Sequence, residues 1–404
     1  MNNSEIAAKG AAYVMNTYNR LPLAFEKGEG SWLWDADGNR YLDFLSGLAV
    51  NCLGYNHPVL VKAIAEQAEK VMHTSNLYWI KQQVEIAEIL VKQSGLGKAF
   101  FCNSGAEANE AAIKLARKYA RSKMGEGKYE IITFSNSFHG RTLATVTATG
   151  QTKYQKGFDP LPRGFGYAVF NDLEDLKSKI NANTCAVMLE PIQGEGGINA
   201  ALPEFLNGVK DLCRDKGLLL IFDEVQCGIG RTGKMFAYQN YGIQPDILTL
   251  AKSLAGGFPI GAMLASDEVA TGFGPGDHAS TFGGNQLACS TALAVINYIL
   301  DNSIMEHVLD MGNYLKEKFG QLRGKYPFIR DIKGMGLMIG IEVETDGNKV
   351  VEECLKEGLI INCVGGRVLR MLPPYIITRE EADLAVGILD GVFAKIQACS
   401  QYPQ

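Results

Sequence analysis

The sequence has no long hydrophobic run, no excess of basic residues and no leader-like start. No uninterrupted apolar stretch among its 404 residues approaches the ~20 residues that a membrane helix needs. The formal net charge is -5, so neither nucleic acid nor an anionic membrane surface is an expected partner. The first five residues lack the basic-then-apolar order of a signal peptide. These absences argue against membrane-spanning, nucleic-acid-binding and secreted proteins.

Paired cysteines and clustered histidines are also absent. The nine cysteines are odd in number and scattered, and no C-x-x-C occurs. This pattern favours reduced thiols over a disulfide framework or a zinc site, so we predict a cytoplasmic location. The five histidines have no metal-ligand spacing either, and we predict no metal site.

The pattern of apolar residues that is present predicts an α/β fold. Helical periodicity occurs at 59–71, 80–93, 105–123, 203–216, 285–300 and 304–325. Short apolar runs rich in β-branched residues occur at 130–134, 185–189, 217–222, 246–250 and 261–264. Because these runs do not alternate and are interleaved with helices, they predict a mostly parallel central sheet covered by helices on both faces.

The pattern changes after about residue 300 and predicts a second, smaller α/β domain. A long helix there leads to alternating strands and helices up to the C-terminus. Near the N-terminus, residues 32–44 read as a hairpin with an Asp-Gly turn. We predict a large domain over 46–295 and a small domain formed by 1–45 and 296–404.

Two residues that follow apolar strands carry most of the chemical information. Asp223 closes the run that begins at Gly217, and Lys252 follows the run 246–251. A buried lysine tends to lose its proton, and its neutral amine is a nucleophile toward carbonyls. Pyridoxal phosphate needs such a lysine and an acidic group opposite its ring nitrogen. Charged residues also end strands simply because the chain reaches water, so the pair needs support from other motifs.

Three further motifs give that support, although each has an ordinary structural reading. The run 103–109 opens a strong helix whose free N–H groups suit a phosphate dianion, or it is a capped helix start. In the run 137–142, Phe138 could stack on a flat ring and Arg141 could bind a carboxylate, or both are packing residues. The run 190–197 places two glutamates in a glycine-rich loop, which is unusual for a mere connection.

The glycines at 228–233 match G-x-G-x-x-G, but a nucleotide site is rejected. A P-loop needs its own preceding strand and a following helix, and this run begins only four residues after Glu224. Met235 stands where Mg²⁺ binding needs Ser or Thr. A dinucleotide fold also requires an acidic residue after the next strand, where this chain has Lys252.

Taken together, the motifs resemble the class III (ω-amino-acid) aminotransferases, which belong to the fold-type I group of pyridoxal phosphate enzymes. The most specific stretches are LLLIFDEVQCGIGRTG, PDILTLAKSLAGGFPIGAML, FCNSGAEANEAAIKLAR, SFHGRTLATVTATGQTKYQKGF and EPIQGEGG. The resemblance covers roughly residues 14 to 395 with the motifs in family order. It implies the fold-type I architecture, in which a mostly parallel sheet is flanked by helices and joined to a smaller α/β domain.

The resemblance also implies roles in binding pyridoxal phosphate. Lys252 resembles the Schiff-base lysine, Asp223 the partner of the pyridine nitrogen, and Gln226 the group near the ring hydroxyl. Phe138 resembles the stacking ring. The residues that resemble the phosphate cup are Ser104, Gly105 and Ala106. Thr281 resembles a phosphate ligand contributed by a neighbouring subunit, which implies a homodimer with shared active sites.

For the substrates, the resemblance implies N-acetylornithine as amino donor and 2-oxoglutarate as acceptor, in arginine biosynthesis. Arg141 resembles the arginine for the carboxylate far from the reacting carbon, and Arg370 the arginine for the near carboxylate of glutamate. Glu195 resembles a switch partner that neutralises Arg370 when no near carboxylate is present. Tyr18 matches a position of the substrate site. Related ornithine aminotransferases usually have a tyrosine where this chain has Leu48, which favours an acylated donor.

Three alternatives remain open from the sequence. One is a sister aminotransferase for succinylornithine, succinyldiaminopimelate, ornithine or 4-aminobutyrate. A second is an aminomutase, against which the predicted pairing of Glu195 with Arg370 argues. A third is a non-catalytic protein that has kept the fold, which the intact Lys252 and Asp223 argue against.

Overall fold

A seven-stranded sheet forms the centre of the protein. Its strand order is Lys98–Cys102, Gly261–Ala265, Ile247–Leu250, Leu219–Asp223, Thr184–Leu189, Glu130–Phe134 and Phe165–Ala168. Only Gly261–Ala265 runs antiparallel to its neighbours. The computed structural model describes residues 1–401, with side chains described up to residue 398. The predicted mostly parallel sheet is confirmed.

Both faces of this sheet are buried, which explains why its strands do not alternate in polarity. In strand Leu219–Asp223, Leu219 and Ile221 pack in one apolar cluster with helix Gly105–Lys123. Leu220 and Phe222 point to the other face and join the larger cluster that includes helix Pro203–Lys216. A fully buried leucine or phenylalanine contributes about 1.5–3 kcal/mol. Both layers of helices are therefore needed to bury this sheet.

The helices begin and end at sequence signals that fix their positions. The described helices are Asn3–Tyr13, Pro58–Ala68, Lys81–Ser94, Gly105–Lys123, Leu143–Ala148, Thr152–Gln155, Leu173–Lys179, Pro203–Lys216, Asp267–Ala270, Gln286–Asp301, Ile304–Lys325, Gly347–Lys356 and Arg379–Gln401. The 3-10 turns are Ala237–Asn240 and Lys252–Ala255. Ser104 caps one helix by accepting the Glu107 N–H at 3.2 Å, and Pro203 opens another.

Two predicted boundaries were wrong by more than one residue. The predicted strand 217–222 starts only at Leu219, because Gly217 ends the preceding helix in the left-handed region at φ +63°. The predicted helix 59–71 ends at Ala68.

No single described helix is long and apolar enough to span a membrane, although Gln286–Asp301 and Ile304–Lys325 pass that test together across a 69° bend.

Three smaller sheets surround the central one. One contains Phe25–Glu29, Trp32–Asp35, Arg40–Asp43 and Leu359–Ile360, so it joins the two ends of the chain. Its second and third strands form the predicted hairpin, which is confirmed. Another contains Ile329–Met335, Met338–Val343, Val368–Met371 and Asn362–Val364. The third is a two-stranded hairpin of Ile192–Gln193 and Asn199–Ala200. The domain boundaries at 45/46 and 295/296 stay a prediction, and helix Gln286–Asp301 runs continuously through the second.

Arg231, in the glycine-rich loop 228–233, ties the central sheet to the C-terminal sheet. Its side chain is fully buried and donates to the carbonyl oxygens of Leu337, at 3.2 Å, and Pro373, at 2.6 Å. Its guanidinium also lies 4.4 Å from the ring centroid of Tyr375. The loop therefore helps to position the C-terminal sheet.

Residues Ser46–Ala49 form a left-handed turn, which is rare for residues other than glycine. All four have positive φ, from +51° at Ser46 to +70° at Leu48. Asp43 accepts the N–H groups of Leu45, at 2.7 Å, and Ser46, at 3.0 Å. The Ser253 hydroxyl donates to the Ala49 carbonyl at 2.9 Å. These contacts hold a strained turn next to Val50, which lines the main cavity.

Candidate active site

A cavity of about 410 Å³ opens at the carboxyl edge of the central sheet. Three adjacent strands deliver Glu190, Asp223 and Lys252 to this edge. Ligands of parallel α/β sheets bind at this edge. The predicted site residues that line the cavity are Ser104, Gly105, Ala106, Phe138, Arg141, Glu195, Asp223, Gln226 and Lys252.

Lys252 combines a strained backbone with a side-chain amine of lowered pKa. Its φ is +46°, in the left-handed region that a side chain with a Cβ rarely adopts. Burial lowers the pKa of Lys252 to about 8, and the charge of Arg370 acts in the same direction. The carboxylates of Glu195 and Asp223 oppose this shift. A substantial fraction of this amine is neutral near pH 8 and can act as a nucleophile or base.

Asp223 is a buried carboxylate held by two N–H donors and in contact with a histidine ring. The Asn109 side-chain amide donates to its Oδ2 at 2.7 Å, and the Val225 N–H donates to its Oδ1 at 3.0 Å. His139 Nδ1 lies 2.8 Å from the same Oδ2. Thr249 in turn donates to the Asn109 oxygen at 2.7 Å. This network fixes the orientation of the Asp223 carboxylate toward the cavity.

The N-terminus of helix Gly105–Lys123 forms one wall. The first N–H groups of a helix have no partner within it, and the helix dipole adds partial positive charge there. Glu107 accepts the backbone N–H of Asn103 at 2.7 Å while Ser104 caps the Glu107 N–H. This mutual capping holds Ser104, Gly105 and Ala106 at the cavity wall, where an anion can approach.

Phe138 and Arg141 come from the loop after strand Glu130–Phe134. The Phe138 ring packs edge-on against Tyr154, with ring centroids 5.6 Å apart. The Arg141 guanidinium lies 4.2 Å from the centroid of Tyr154 and 5.5 Å from that of Phe138. Arg141 is exposed at the mouth of the cavity. It can therefore meet a carboxylate from solvent, while Phe138 presents an apolar surface deeper inside.

Arg370 and Glu195 form an ion pair across the site. Arg370 is 1% exposed, and its Nη1 lies 2.5 Å from Glu195 Oε1. Arg370 also donates to Gln226 Oε1 at 3.2 Å and to Asn362 Oδ1 at 3.1 Å. Burial alone would raise the pKa of Glu195, but the charge and hydrogen bond of Arg370 outweigh it and lower that pKa. Both groups are therefore charged, and each neutralises the other.

Two predicted site residues do not reach this cavity. Tyr18 is 69% exposed, and its ring packs beside Arg20 in the surface segment that precedes strand Phe25–Glu29. Its role in substrate binding stays a prediction. Thr281 lines a separate surface cavity of about 850 Å³ with residues 75–79. Its predicted role in a neighbouring subunit stays a prediction.

Sequence reasoning missed the residues that support the site from behind. Asn109 lies one helical turn after Gly105, on the face toward Asp223, and His139 directly follows Phe138. Both lay inside motifs that were singled out, but only the contact with Asp223 gives them a role. Among the described side chains, no group of three or more His, Cys, Asp and Glu residues could hold a metal ion.

Comparison with known proteins agrees with this geometry. The family description Aminotransferase class-III matches residues 13–393. An acetylornithine aminotransferase of Caldanaerobacter subterraneus subsp. tengcongensis is 53% identical over 386 residues, covering 95% of this chain and 98% of that protein. The similarity therefore extends over both chains almost completely.

Solved structures agree in fold as well. The ornithine aminotransferase of Toxoplasma gondii has a TM-score of 0.95 at 33% identity, covering 98% of this chain and 96% of that one. A second structure of that enzyme is described with partial occupancy of PLP at its active site. An N-acetylornithine aminotransferase of Stenotrophomonas maltophilia has a TM-score of 0.83 at 36% identity, covering 97% and 99% of the two chains.

The match over nearly the whole chain, the shared fold and the placement of Lys252 and Asp223 at one edge of the central sheet all agree. The chain belongs to the class III aminotransferases.

Proposed function

We propose that the protein transfers the δ-amino group of N-acetylornithine to 2-oxoglutarate, with pyridoxal phosphate as cofactor. The products are N-acetylglutamate semialdehyde and glutamate. The observation that carries this proposal is the Glu195–Arg370 pair, because it suits a site that accepts two different substrates. The names of the Caldanaerobacter and Stenotrophomonas relatives support N-acetylornithine as the donor.

The donor set of the cavity fits pyridoxal phosphate. Lys252 supplies a primary amine, Asp223 an anionic partner for a ring nitrogen, and Phe138 a flat apolar surface. The helix start at Ser104, Gly105 and Ala106 would hold the phosphate. When bound, this cofactor supplies an aldehyde that captures amines and a protonated ring that accepts electrons from the reacting carbon.

Lys252 would hold and move the proton in each half-reaction. Its amine has a pKa near 8, so close to neutral pH it can both accept and release a proton. Asp223 would keep the ring nitrogen protonated. The buried hydrogen bonds from Asn109 and Val225 hold that carboxylate in place, so no reorganisation is needed during the reaction.

The ion pair lets one pocket serve both substrates. N-acetylornithine has no carboxylate beside its reacting carbon, so an unpaired Arg370 would be a buried cation, which costs about 3–5 kcal/mol. Glu195 neutralises Arg370 in that case. Glutamate and 2-oxoglutarate bring their own carboxylate, which can replace Glu195 on Arg370. Arg141 at the mouth would bind the distal carboxylate of either substrate.

We also propose a homodimer in which Thr281 contributes to the partner's site. Thr281 lies beside an apolar surface that includes Leu77, Tyr78 and Trp79, and Trp79 is 93% exposed. Apolar patches of this kind mark protein–protein interfaces. A symmetric dimer would bury this surface in both copies.

The free thiols of the eight described cysteines support the proposed cytoplasmic location.

A half-reaction screen tests the donor. The cofactor-loaded protein is mixed with N-acetylornithine, N-succinylornithine, ornithine or 4-aminobutyrate, and the cofactor absorbance is followed without an acceptor. We expect the highest kcat/KM for N-acetylornithine and return of the original spectrum with 2-oxoglutarate. A higher kcat/KM for another of these amines would contradict the assigned donor.

A further inference from the structure

Glu190 is a buried carboxylate whose two oxygens hold two different walls of the cavity. Its Oε1 accepts the backbone N–H of Phe138 at 2.9 Å, and its Oε2 accepts that of Gly194 at 3.2 Å. Phe138 belongs to the loop after strand Glu130–Phe134, and Gly194 to the hairpin that carries Glu195. One side chain therefore ties these two segments together.

The hairpin is packed closely enough for this tie to matter. A Cβ on Gly194 would lie 2.1 Å from Gln226 Oε1, so the backbone there touches the Gln226 side chain. Gln226 Oε1 also accepts from Arg370 at 3.2 Å, and Glu195, the next residue after Gly194, pairs with Arg370. A shift of Gly194 therefore disturbs both acceptors of the Arg370 guanidinium in the cavity.

The protonation state of Glu190 decides how well it can hold both amides. An ionised carboxylate is acceptor-only, so each oxygen can take one N–H group at full strength. A protonated carboxyl has one hydroxyl oxygen, which is a poor acceptor. Burial raises the pKa of Glu190 to about 7, and the charge of Asp223 adds to this, while His139 and the two amides oppose it. The change of state thus falls near neutral pH.

The groups that face Glu190 come from several elements. The titratable or charged side chains are His139, Asp223, Cys227 and Lys252, and the hairpin adds the Glu195–Arg370 pair. Burial raises the pKa of the Cys227 thiol well above its usual value, so this thiol stays neutral. In the part of the chain whose side chains are described, Glu190 has no lysine or arginine salt-bridge partner.

We propose that Glu190 is a positioning residue that clamps Phe138 to the Glu195 hairpin, and that proton uptake by Glu190 loosens the clamp and weakens the hold of Glu195 on Arg370. When Glu190 holds both amides, Glu195 stays paired with Arg370, and the site suits a donor that has no carboxylate beside its reacting carbon. With the clamp open, a substrate carboxylate displaces Glu195 more easily. This second step rests on the proposed function, whereas the clamp itself does not.

Hydrogen exchange of the cofactor-free protein tests the clamp. After correction for intrinsic exchange rates, the Phe138 and Gly194 amides should be well protected at pH 8. At pH 6 at least one of them should lose about tenfold or more of its protection, as expected for loss of a hydrogen bond to a charged group. Equal corrected protection at both pH values overturns the proposal, and this measurement needs no variant.

Two variants separate Glu190 from other buried carboxylates. In Glu190→Gln the side-chain NH₂ of glutamine must face one of the two backbone N–H groups and cannot accept from it. Protection of the Phe138 or Gly194 amide against exchange should therefore fall at pH 8, and it should no longer depend on pH. Glu224 is the matched control, because it is also buried and accepts two backbone amides, those of Ala237 and Tyr238. Glu224→Gln should expose those two amides and leave the clamp protected. An unchanged clamp in Glu190→Gln overturns the assignment.

The coupling to Arg370 is tested with the cofactor-loaded protein. In the wild type, the ratio of kcat/KM for glutamate to that for N-acetylornithine should rise severalfold as the pH falls from 8 to 6, and in Glu190→Gln it should stay constant. A constant ratio in the wild type overturns the coupling. If neither substrate reacts, the proposed function fails, while the exchange result still decides the clamp.

Discussion

Removing the charge of Glu195 should change which substrate the site prefers. Glu195→Gln keeps an acceptor oxygen near Arg370. It removes the negative charge that lies 2.5 Å from Arg370 Nη1 in the wild type, so the buried arginine has no anionic partner. In the wild type, glutamate must break this pair before its own carboxylate can bind Arg370. In the variant that cost disappears, whereas N-acetylornithine gains nothing because it has no carboxylate beside its reacting carbon.

The size of the effect follows from the contact. A hydrogen bond to a charged group contributes about 1.5–3 kcal/mol, and about 1.4 kcal/mol corresponds to tenfold. The remaining acceptors of Arg370, Gln226 and Asn362, are neutral and do not replace the lost charge. We therefore expect the ratio of kcat/KM for glutamate to that for N-acetylornithine to rise about 10- to 100-fold.

Stopped-flow absorbance of the bound cofactor measures each half-reaction separately. The matched control is Glu342→Gln, which removes the partner of Lys333 on the same C-terminal sheet, where Glu342 is 37% exposed. That control should leave the ratio unchanged. If Glu195→Gln slows both half-reactions by the same factor, the switch is refuted and Glu195 only shapes its hairpin.

Four further predictions concern other residues of the cavity. Lys252→Ala should abolish turnover while the cofactor still binds, and near-normal activity would exclude Lys252 as the reactive amine. In the cofactor-free wild type, the pKa of Lys252 lies near 8 instead of 10.5. The rate at which Lys252 captures an aldehyde probe should therefore rise as the pH passes through about 8 and then level off. A rate that keeps rising toward pH 10 would contradict the lowered pKa. Asp223→Asn should lose several orders of magnitude in rate, and a loss below about tenfold, or ~1.4 kcal/mol, would make Asp223 structural. Arg141→Ala should weaken both half-reactions, as shown by KM values that rise with both substrates, since each has a distal carboxylate.

The parts of the fold that could be predicted are those set by local sequence. Helices at 105–123, 203–216 and 304–325 have the predicted bounds, because caps, prolines and glycines fix their ends within a few residues. Asp223 and Lys252 could be placed at one edge because parallel strands bring their carboxyl ends together.

The rest of the site depends on contacts between distant segments. Asn109 meets Asp223 across 114 residues, and Arg370 meets Glu195 across 175. No periodicity or capping signal records such contacts. The Glu195–Arg370 pairing could be predicted only from the resemblance to the family. The contacts of Asn109 and His139 with Asp223 were not predicted from the sequence. The role of Tyr18 stays a prediction, because a matching sequence position does not fix the path of a surface segment.

In the left-handed turn Ser46–Ala49, the usual advantage of alanine over glycine for stability is reversed. Glycine normally destabilises a fold by about 0.5–1 kcal/mol relative to alanine, because it gains freedom in the unfolded chain. At Leu48, with φ +70° and 41% exposure, a left-handed backbone costs a side-chain-bearing residue about 1–2 kcal/mol, and alanine would keep that cost. At this position glycine would therefore be more favourable than alanine. The family resemblance places a tyrosine of ornithine aminotransferases at this same position, so a substitution of Leu48 that changes substrate preference must also fit this backbone conformation.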